Sequence, residues 1–181
     1  LRIDDSVSLF ESNAISEYLD ETIKPQLHPA DPIQRALNRA WTDYIPTLAD
    51  LVTDTAYVAD EKEYDEAIKK MAVPFERLEK ALEKQAATNT DKGPYFNGAA
   101  YSLVDCGYAP FLQRHTWLDK IRPIGVIGKY PRVAAWRDAL MARPSTWSFP
   151  PAEYETIYHG AVKRRKKYLS QFVNPAQAAA E

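Results

Sequence analysis

Cysteine is almost absent from this sequence. Its 181 residues include one cysteine, Cys106, which excludes an internal disulfide and a cysteine-rich metal site. So little cysteine suits a reducing compartment, and the cytoplasm is the simplest location. The three histidines lie far apart in the sequence, with no pair at the helical spacing that zinc sites use. We therefore expect no metal centre.

Long apolar runs and an excess of one charge are also missing. No stretch approaches the roughly 20 apolar residues that a membrane-spanning helix needs, and no basic region followed by an apolar one stands at the start. The formal net charge is -2, so no overall positive field attracts nucleic acid or an anionic membrane. The one dense basic run, residues 163–167, would spread over every face of a helix, which favours a solvated helix end. We expect neither nucleic acid nor membrane as a partner.

The composition is otherwise that of a globular chain, with 45% hydrophobic residues able to form a core. Residues 1–10 show two short extended pieces joined by a polar turn, which predicts a hairpin. Two strands alone are marginally stable, so we expect further sequence before Leu1. A helical pattern then begins at Glu11-Ser12 and ends near Lys24-Pro25.

The remainder predicts helices. A proline-rich segment, residues 26–32, has no apolar period and predicts a linker. Asp31 can cap a helix that runs to Val52 with a bend at Pro46. A second long helix follows to Gln85, packed antiparallel on the first. Further helices are predicted from Ser102, from Tyr130-Pro131 to Arg143-Pro144 and over 153–172, with a frayed tail at 174–181.

Ser102 and Asp105 have the spacing of a capping box, which explains Asp105 without a catalytic role. The helix that follows is apolar almost all round, which is typical of a central helix. Cys106 belongs to this apolar pattern, so we interpret its thiol as inert core filler. Trp41 and Trp136 are likewise assigned to the core.

Taken in order, these pieces resemble a cytosolic glutathione transferase. The resemblance is carried by the run Phe10-Glu11-Ser12-Asn13-Ala14-Ile15-Ser16-Glu17-Tyr18-Leu19, the proline-rich linker, the Ser102-Leu103-Val104-Asp105 box, and the later helix from Lys129-Tyr130-Pro131 to Ala142-Arg143-Pro144. It covers essentially the whole chain. It implies a mainly α fold, in which residues 1–25 are the C-terminal part of a thioredoxin-like α/β domain that binds glutathione. Residues 26–181 would form the all-α C-terminal domain.

The resemblance implies that Glu11 and Ser12 bind glutathione, the co-substrate. A helix N-terminus carries unpaired amides and a positive dipole end, so the amide and hydroxyl of Ser12 can donate to the γ-glutamyl carboxylate. Glu11 can accept from the glutamyl ammonium or fix the turn. For Ser12 taken alone, a simple helix cap is the alternative.

An electrophile would bind between the two domains, and we select Tyr44, Thr47, Tyr108 and Leu112 as candidate substrate-binding residues, although aromatic residues at helical spacing are more often core. The family activates the glutathione thiol with a Tyr, Ser or Cys near the start of the thioredoxin-like domain, and no position here matches it. We therefore assign no catalytic residue.

The function that the resemblance implies is attack of the glutathione thiolate on a small hydrophobic electrophile, or thiol exchange through a mixed disulfide. It implies a cytoplasmic detoxification enzyme that forms a homodimer through its two long helices. The alternative is a non-catalytic binding or scaffold protein of the same fold. The class within the family, the physiological electrophile and the origin of the missing N-terminal part stay open.

Overall fold

Helices dominate the fold, which confirms the mainly α class. The computed structural model describes residues 1–147 and 150–174. The α-helices of the described residues are α1 (Ser12–Thr22), α2 (Pro32–Asp43), α3 (Ile45–Thr55), α4 (Glu61–Thr88), α5 (Leu103–Ile121), α6 (Pro131–Ala142) and α7 (Pro151–Arg164). Short 3-10 turns lie at Ile127–Lys129, Pro144–Thr146 and Tyr168–Gln171.

The first ten residues form the hairpin that their sequence predicts. Arg2 and Ser8 pair in an antiparallel bridge, and the Ile3 amide donates to the Val7 carbonyl at 3.0 Å. One Asp4 carboxylate oxygen accepts from the amides of Ser6 and Val7 and from the Ser6 hydroxyl. Asp4 therefore closes the turn that brings the chain back towards α1.

The predicted long helix from residue 32 is in fact two helices, α2 and α3, which meet at Tyr44. Asp31 caps α2 as expected, because its carboxylate accepts from the amides of Ile33 and Gln34. Pro46 has no N–H for a helical bond to the residue four positions earlier, and its ring crowds that carbonyl. The proline therefore divides the helix instead of only bending it.

Helix α5 is the centre of the bundle, because it packs against α2, α3, α6 and α7, while α4 packs against α3 and α6. The core between these helices contains fully buried apolar residues of α3, α4, α5, α6 and α7, among them Leu48, Val52, Met71, Phe75, Leu78, Val104, Leu112, Leu118, Val133, Leu140 and Val162. Trp136 is buried in this core, as predicted, and Trp41 packs against it from its edge.

The capping box at the start of α5 is present and forms part of a larger network. The Asp105 carboxylate accepts from the amide and hydroxyl of Ser102 at 2.8 and 2.7 Å. It also accepts from the Phe96 amide at 2.9 Å and from Trp136 Nε1 at 2.7 Å. Burial raises the pKa of the Asp105 carboxyl, while these donors oppose the shift by stabilising the ionised form. Asp105 thus joins three segments of the chain inside the core.

The last helix is shorter than predicted. α7 ends at Arg164, and Lys166 has a left-handed φ of 53° before the turn at Tyr168–Gln171. Only the first two residues of the basic run are therefore helical, and Arg165 lies over the Tyr57 ring at 4.0 Å. The predicted frayed tail lies, beyond Asn174, outside the described residues. Within the described residues no helix combines the length and apolar character needed to cross a bilayer.

Candidate functional site

The N-terminus of α1 is the first component of the candidate site. Glu11, the residue before the helix, has φ 65° and ψ 118°, a left-handed φ that costs a non-glycine residue about 1–3 kcal/mol. Its side chain makes no capping hydrogen bond. The first intrahelical bond runs from the Ile15 amide to the Glu11 carbonyl at 3.0 Å. The amides of Ser12, Asn13 and Ala14 therefore precede the helical ladder and point out of the helix end.

A cleft of about 430 Å³ opens beside this helix end. Its walls come from the start of α1, from the junction of α2 and α3, and from the first half of α5. The lining residues are Glu11, Ser12, Asn13, Ser16, Thr42, Asp43, Ile45, Pro46, Leu103, Cys106, Gly107 and Phe111. Ser12 is exposed. The cleft is polar on the α1 side and apolar on the α3 and α5 side.

Polar contacts fix α1 against α2. The Asn13 side-chain amide donates to Asp43 across the cleft. One turn further on, the Glu17 carboxylate accepts from Arg39 Nε and Nη2 at 2.8 and 2.6 Å, and lies 2.7 Å from His28 Nε2. Burial of Glu17 opposes its ionisation, but the hydrogen bonds from Arg39 and His28 outweigh burial and lower the pKa of this carboxyl. These contacts set the distance between the helix end and the apolar wall.

The structure corrects the interpretation of Cys106 as core filler. This residue is only partly buried and lines the cleft. Its thiol shares a hydrogen bond with the Tyr101 hydroxyl, but burial dominates and raises the pKa of the thiol. The protonated thiol is a weak nucleophile, so Cys106 contributes a small, soft surface to the cleft.

Comparison with protein families matches residues 35–144, more than half of the chain, to the glutathione S-transferase C-terminal domain. The chain belongs to the glutathione S-transferase family. The resemblance stated from the sequence is thus confirmed.

Individual relatives agree with this assignment. The chain is 28% identical over 141 residues to a probable glutathione S-transferase of Glycine max, covering 74% of this chain and 58% of the relative. It is 32% identical over 130 residues to a stringent starvation protein A homolog of Haemophilus influenzae, covering 68% and 52%. The chain therefore spans between about half and three fifths of the length of these two relatives.

A solved structure shows the same fold. The Tau class glutathione S-transferase of mango, Mangifera indica L., superposes with a TM-score of 0.64 at 21% identity. The match covers 95% of this chain and 71% of the mango protein. The shared fold therefore extends over nearly the whole chain.

The four residues that the sequence predicted for substrate binding do not line this cleft. Tyr108 and Leu112 have no exposed surface, and the Tyr108 hydroxyl donates to the Trp41 carbonyl at 3.1 Å. Tyr44 lies half-buried under the Arg77 guanidinium, 4.2 Å from its ring centroid, and Thr47 is exposed outside the cleft. A contact of any of them with substrate stays a prediction.

Sequence reasoning missed the residues that do form the apolar wall. Four of them, Ile45, Pro46, Gly107 and Phe111, are immediate neighbours of the predicted residues, and the fifth is Leu103 at the start of α5. Because α5 is apolar almost all round, its pattern gave no direction for the cleft. Gly107 was the available signal: a Cβ there would lie 2.1 Å from Ile45 Cδ1, so this glycine marks where α3 and α5 approach.

Proposed function

We propose that this chain binds glutathione in the cleft, with the γ-glutamyl α-carboxylate at the N-terminus of α1. The observation that carries the proposal is an exposed Ser12 at a helix end whose first amides have no intrahelical acceptor. Such a helix end attracts anions through its N–H groups and its dipole. The Ser12 hydroxyl adds a donor, and Glu11 and Asp43 supply carboxylates for the glutamyl ammonium.

The unusual backbone of Glu11 supports this assignment. Strained φ values persist where the surrounding structure holds them, and they cluster at ligand sites. The left-handed turn at Glu11 allows the chain to leave the hairpin and enter the helix with its amides towards the cleft.

The reaction that we propose is conjugation. The glutathione thiolate forms a sulfur–carbon bond with an electrophilic carbon, whose leaving group departs with the bonding electrons. The apolar wall formed by Ile45, Leu103 and Phe111 suits a small hydrophobic electrophile, and a cleft of about 430 Å³ falls within the usual range for small-molecule sites. We assign no residue of this chain to activation of the thiol.

We further propose that the protein acts in the cytoplasm in detoxification, as a homodimer through the long helices of the bundle. The two-part organisation, residues 1–25 and 26–181, belongs to the same proposal. It is supported by the linker segment between α1 and α2 and by the cleft between them.

A non-catalytic binding role is the second candidate. One relative at 32% identity is named as a stringent starvation protein A homolog, and that name includes no transferase activity. A protein of this kind would keep the fold without conjugating an electrophile.

Retention on immobilised glutathione, followed by elution with free glutathione, tests the binding step. We expect the immobilised glutathione to retain the wild-type chain but not the Ser12→Ala variant. Ser8→Ala is the control, because Ser8 is exposed in the hairpin and does not line the cleft. Conjugation of a chloro-nitroaromatic substrate by the whole natural polypeptide tests the enzyme role. Retention without conjugation favours the second candidate, and no retention of the wild type contradicts the glutathione site.

A further inference from the structure

The apolar wall of the cleft is followed along α5 by an arginine. Phe111 lines the cleft, and Arg114 comes three positions later on the same helix, where side chains are neighbours on one face. The guanidinium carbon of Arg114 lies 5.5 Å from the centroid of the Phe111 ring. A positive group therefore borders the apolar wall against which we place the electrophile.

The Arg114 guanidinium has donors available for a ligand. Its Nη1 atom donates to the Pro110 carbonyl at 3.0 Å, and a guanidinium carries five N–H groups. Arg114 forms no salt bridge with a carboxylate of residues 1–147 or 150–174. Because its side chain is partly buried, water screens its charge less than that of an exposed arginine. Such a group favours an anion that can accept two of its N–H bonds.

A second arginine adds positive charge near Arg114. Helix α7 packs against α5 and carries Tyr158, which is partly buried. Burial raises the pKa of Tyr158 to about 12, and the charges of Arg165 and Arg114 oppose this rise, so both guanidinium groups act on the same phenol. Arg165 lies over the Tyr57 ring at 4.0 Å and has no salt-bridge partner in the described part of the chain either. Like charges without a counterion repel each other, and a bound anion would relieve this repulsion.

We propose that the electrophile conjugated in the cleft is an apolar chain that ends in a carboxylate, and that Arg114 binds this carboxylate. The inference rests on the proposed function and names the substrate class of the same site. The apolar chain lies against Phe111, between the glutathione sulfur and the guanidinium. The reaction stays the proposed one: the sulfur bonds to the electrophilic carbon, the leaving group takes the bonding electrons, and the thiol proton passes to solvent.

Two conjugates of glutathione test the proposal in calorimetric titrations of the whole chain. S-(carboxypentyl)glutathione carries the carboxylate, and its primary amide is a neutral ligand of nearly the same size. We expect the wild type to bind the carboxylate conjugate about tenfold more tightly than the amide, as for one charge-assisted hydrogen bond. Added salt should reduce this preference, because salt screens charges that are partly exposed.

Variants of Arg114 assign the preference to this side chain. Arg114→Gln should weaken binding of the carboxylate conjugate about tenfold and change binding of the amide by less than about twofold. Arg114→Lys keeps the positive charge without the planar fork, so it should keep part of the preference. Arg137→Gln is the control, because Arg137 lies on α6, pairs with Asp138 and does not line the cleft. It should bind both conjugates as the wild type does.

The outcomes separate this proposal from the glutathione site on which it rests. Equal affinity of the wild type for the two conjugates would overturn the role of Arg114, and the glutathione site would stand. Equal losses of both conjugates in Arg114→Gln would also overturn it, since the side chain would then only support the fold. If the wild type binds neither conjugate, the glutathione site is contradicted, and this proposal with it.

Discussion

Replacement of Asp105 by alanine removes the acceptor that connects three segments of the core. Its carboxylate has no exposed surface and accepts four hydrogen bonds, from Phe96, Ser102 and Trp136. These three donor residues are themselves buried. Alanine would leave their N–H and O–H groups without a partner and without access to bulk water.

The expected loss is large compared with the stability of an ordinary domain. A buried donor without its partner costs about 1–3 kcal/mol, and such costs are not additive within one network. We therefore expect Asp105→Ala to lower the free energy of unfolding by about 3–5 kcal/mol. Asp105→Asn keeps one acceptor oxygen but presents an NH₂ group to the Ser102 donors, so we expect an intermediate loss of about 1–3 kcal/mol.

Urea denaturation at pH 7, followed by circular dichroism, measures both losses. Asp138→Asn is the matched control, because this α6 side chain is 68% exposed and should change stability by less than about 0.5 kcal/mol. Folded Asp105→Asn should still be retained on immobilised glutathione. Unchanged stability with lost retention would refute the structural role of Asp105.

Other predictions concern pH, the contacts of α1 and the cleft. His115 is fully buried, and burial lowers its pKa to about 4. The same side chain in the unfolded protein has a pKa near 6.5. Acid therefore protonates the unfolded chain first, and the free energy of unfolding falls as the pH drops below 6.5. Between pH 7.5 and 5.5 the loss of stability from His115 is about 1.3 kcal/mol. Urea titrations of the wild type and His115→Phe at both pH values should show that the variant lacks this loss. An identical pH dependence of the two proteins would contradict this role of His115. Glu17→Gln should lower the free energy of unfolding by about 1–2 kcal/mol at pH 7, because it weakens the charged contact with Arg39; an unchanged midpoint would show that this contact is not stabilising. Gly107→Ala should push Ile45 towards the cleft and reduce kcat/KM for bulky electrophiles, while the affinity for glutathione stays unchanged. If Gly107→Ala changes kcat/KM equally for bulky and small electrophiles, Ile45 and Gly107 do not form the wall that contacts the electrophile.

Local signals in the sequence predicted the features that depend on local chemistry. The spacing of Ser102 and Asp105 indicated a helix start, since a capping box involves residues only three positions apart. Asp31 followed by Pro32 likewise indicated the start of α2. The position of Ser12 after a strand and before an apolar helical period placed a helix end there, and the structure leaves it exposed.

Contacts between distant segments were not predictable in this way. Phe96 and Trp136 reach Asp105 across 9 and 31 positions, and nothing in their local sequence indicates this acceptor. The side of α5 that lines the cleft depends on where α3 packs, which is why Cys106 and Phe111 were not assigned to it. The end of α7 has no glycine or proline signal, and Lys166 adopts its left-handed φ in the turn before Tyr168.

The central claim is that the end of α1 receives the γ-glutamyl carboxylate of glutathione. Calorimetric titration of the wild type and Ser12→Ala, with glutathione and with an analogue that lacks only this carboxylate, tests it directly. We expect Ser12→Ala to weaken glutathione binding about 10-fold to 100-fold, as for one hydrogen bond to a charged group, and to leave the weak binding of the analogue unchanged. Equal effects of Ser12→Ala on both ligands, or no preference of the wild type for glutathione, would contradict the claim.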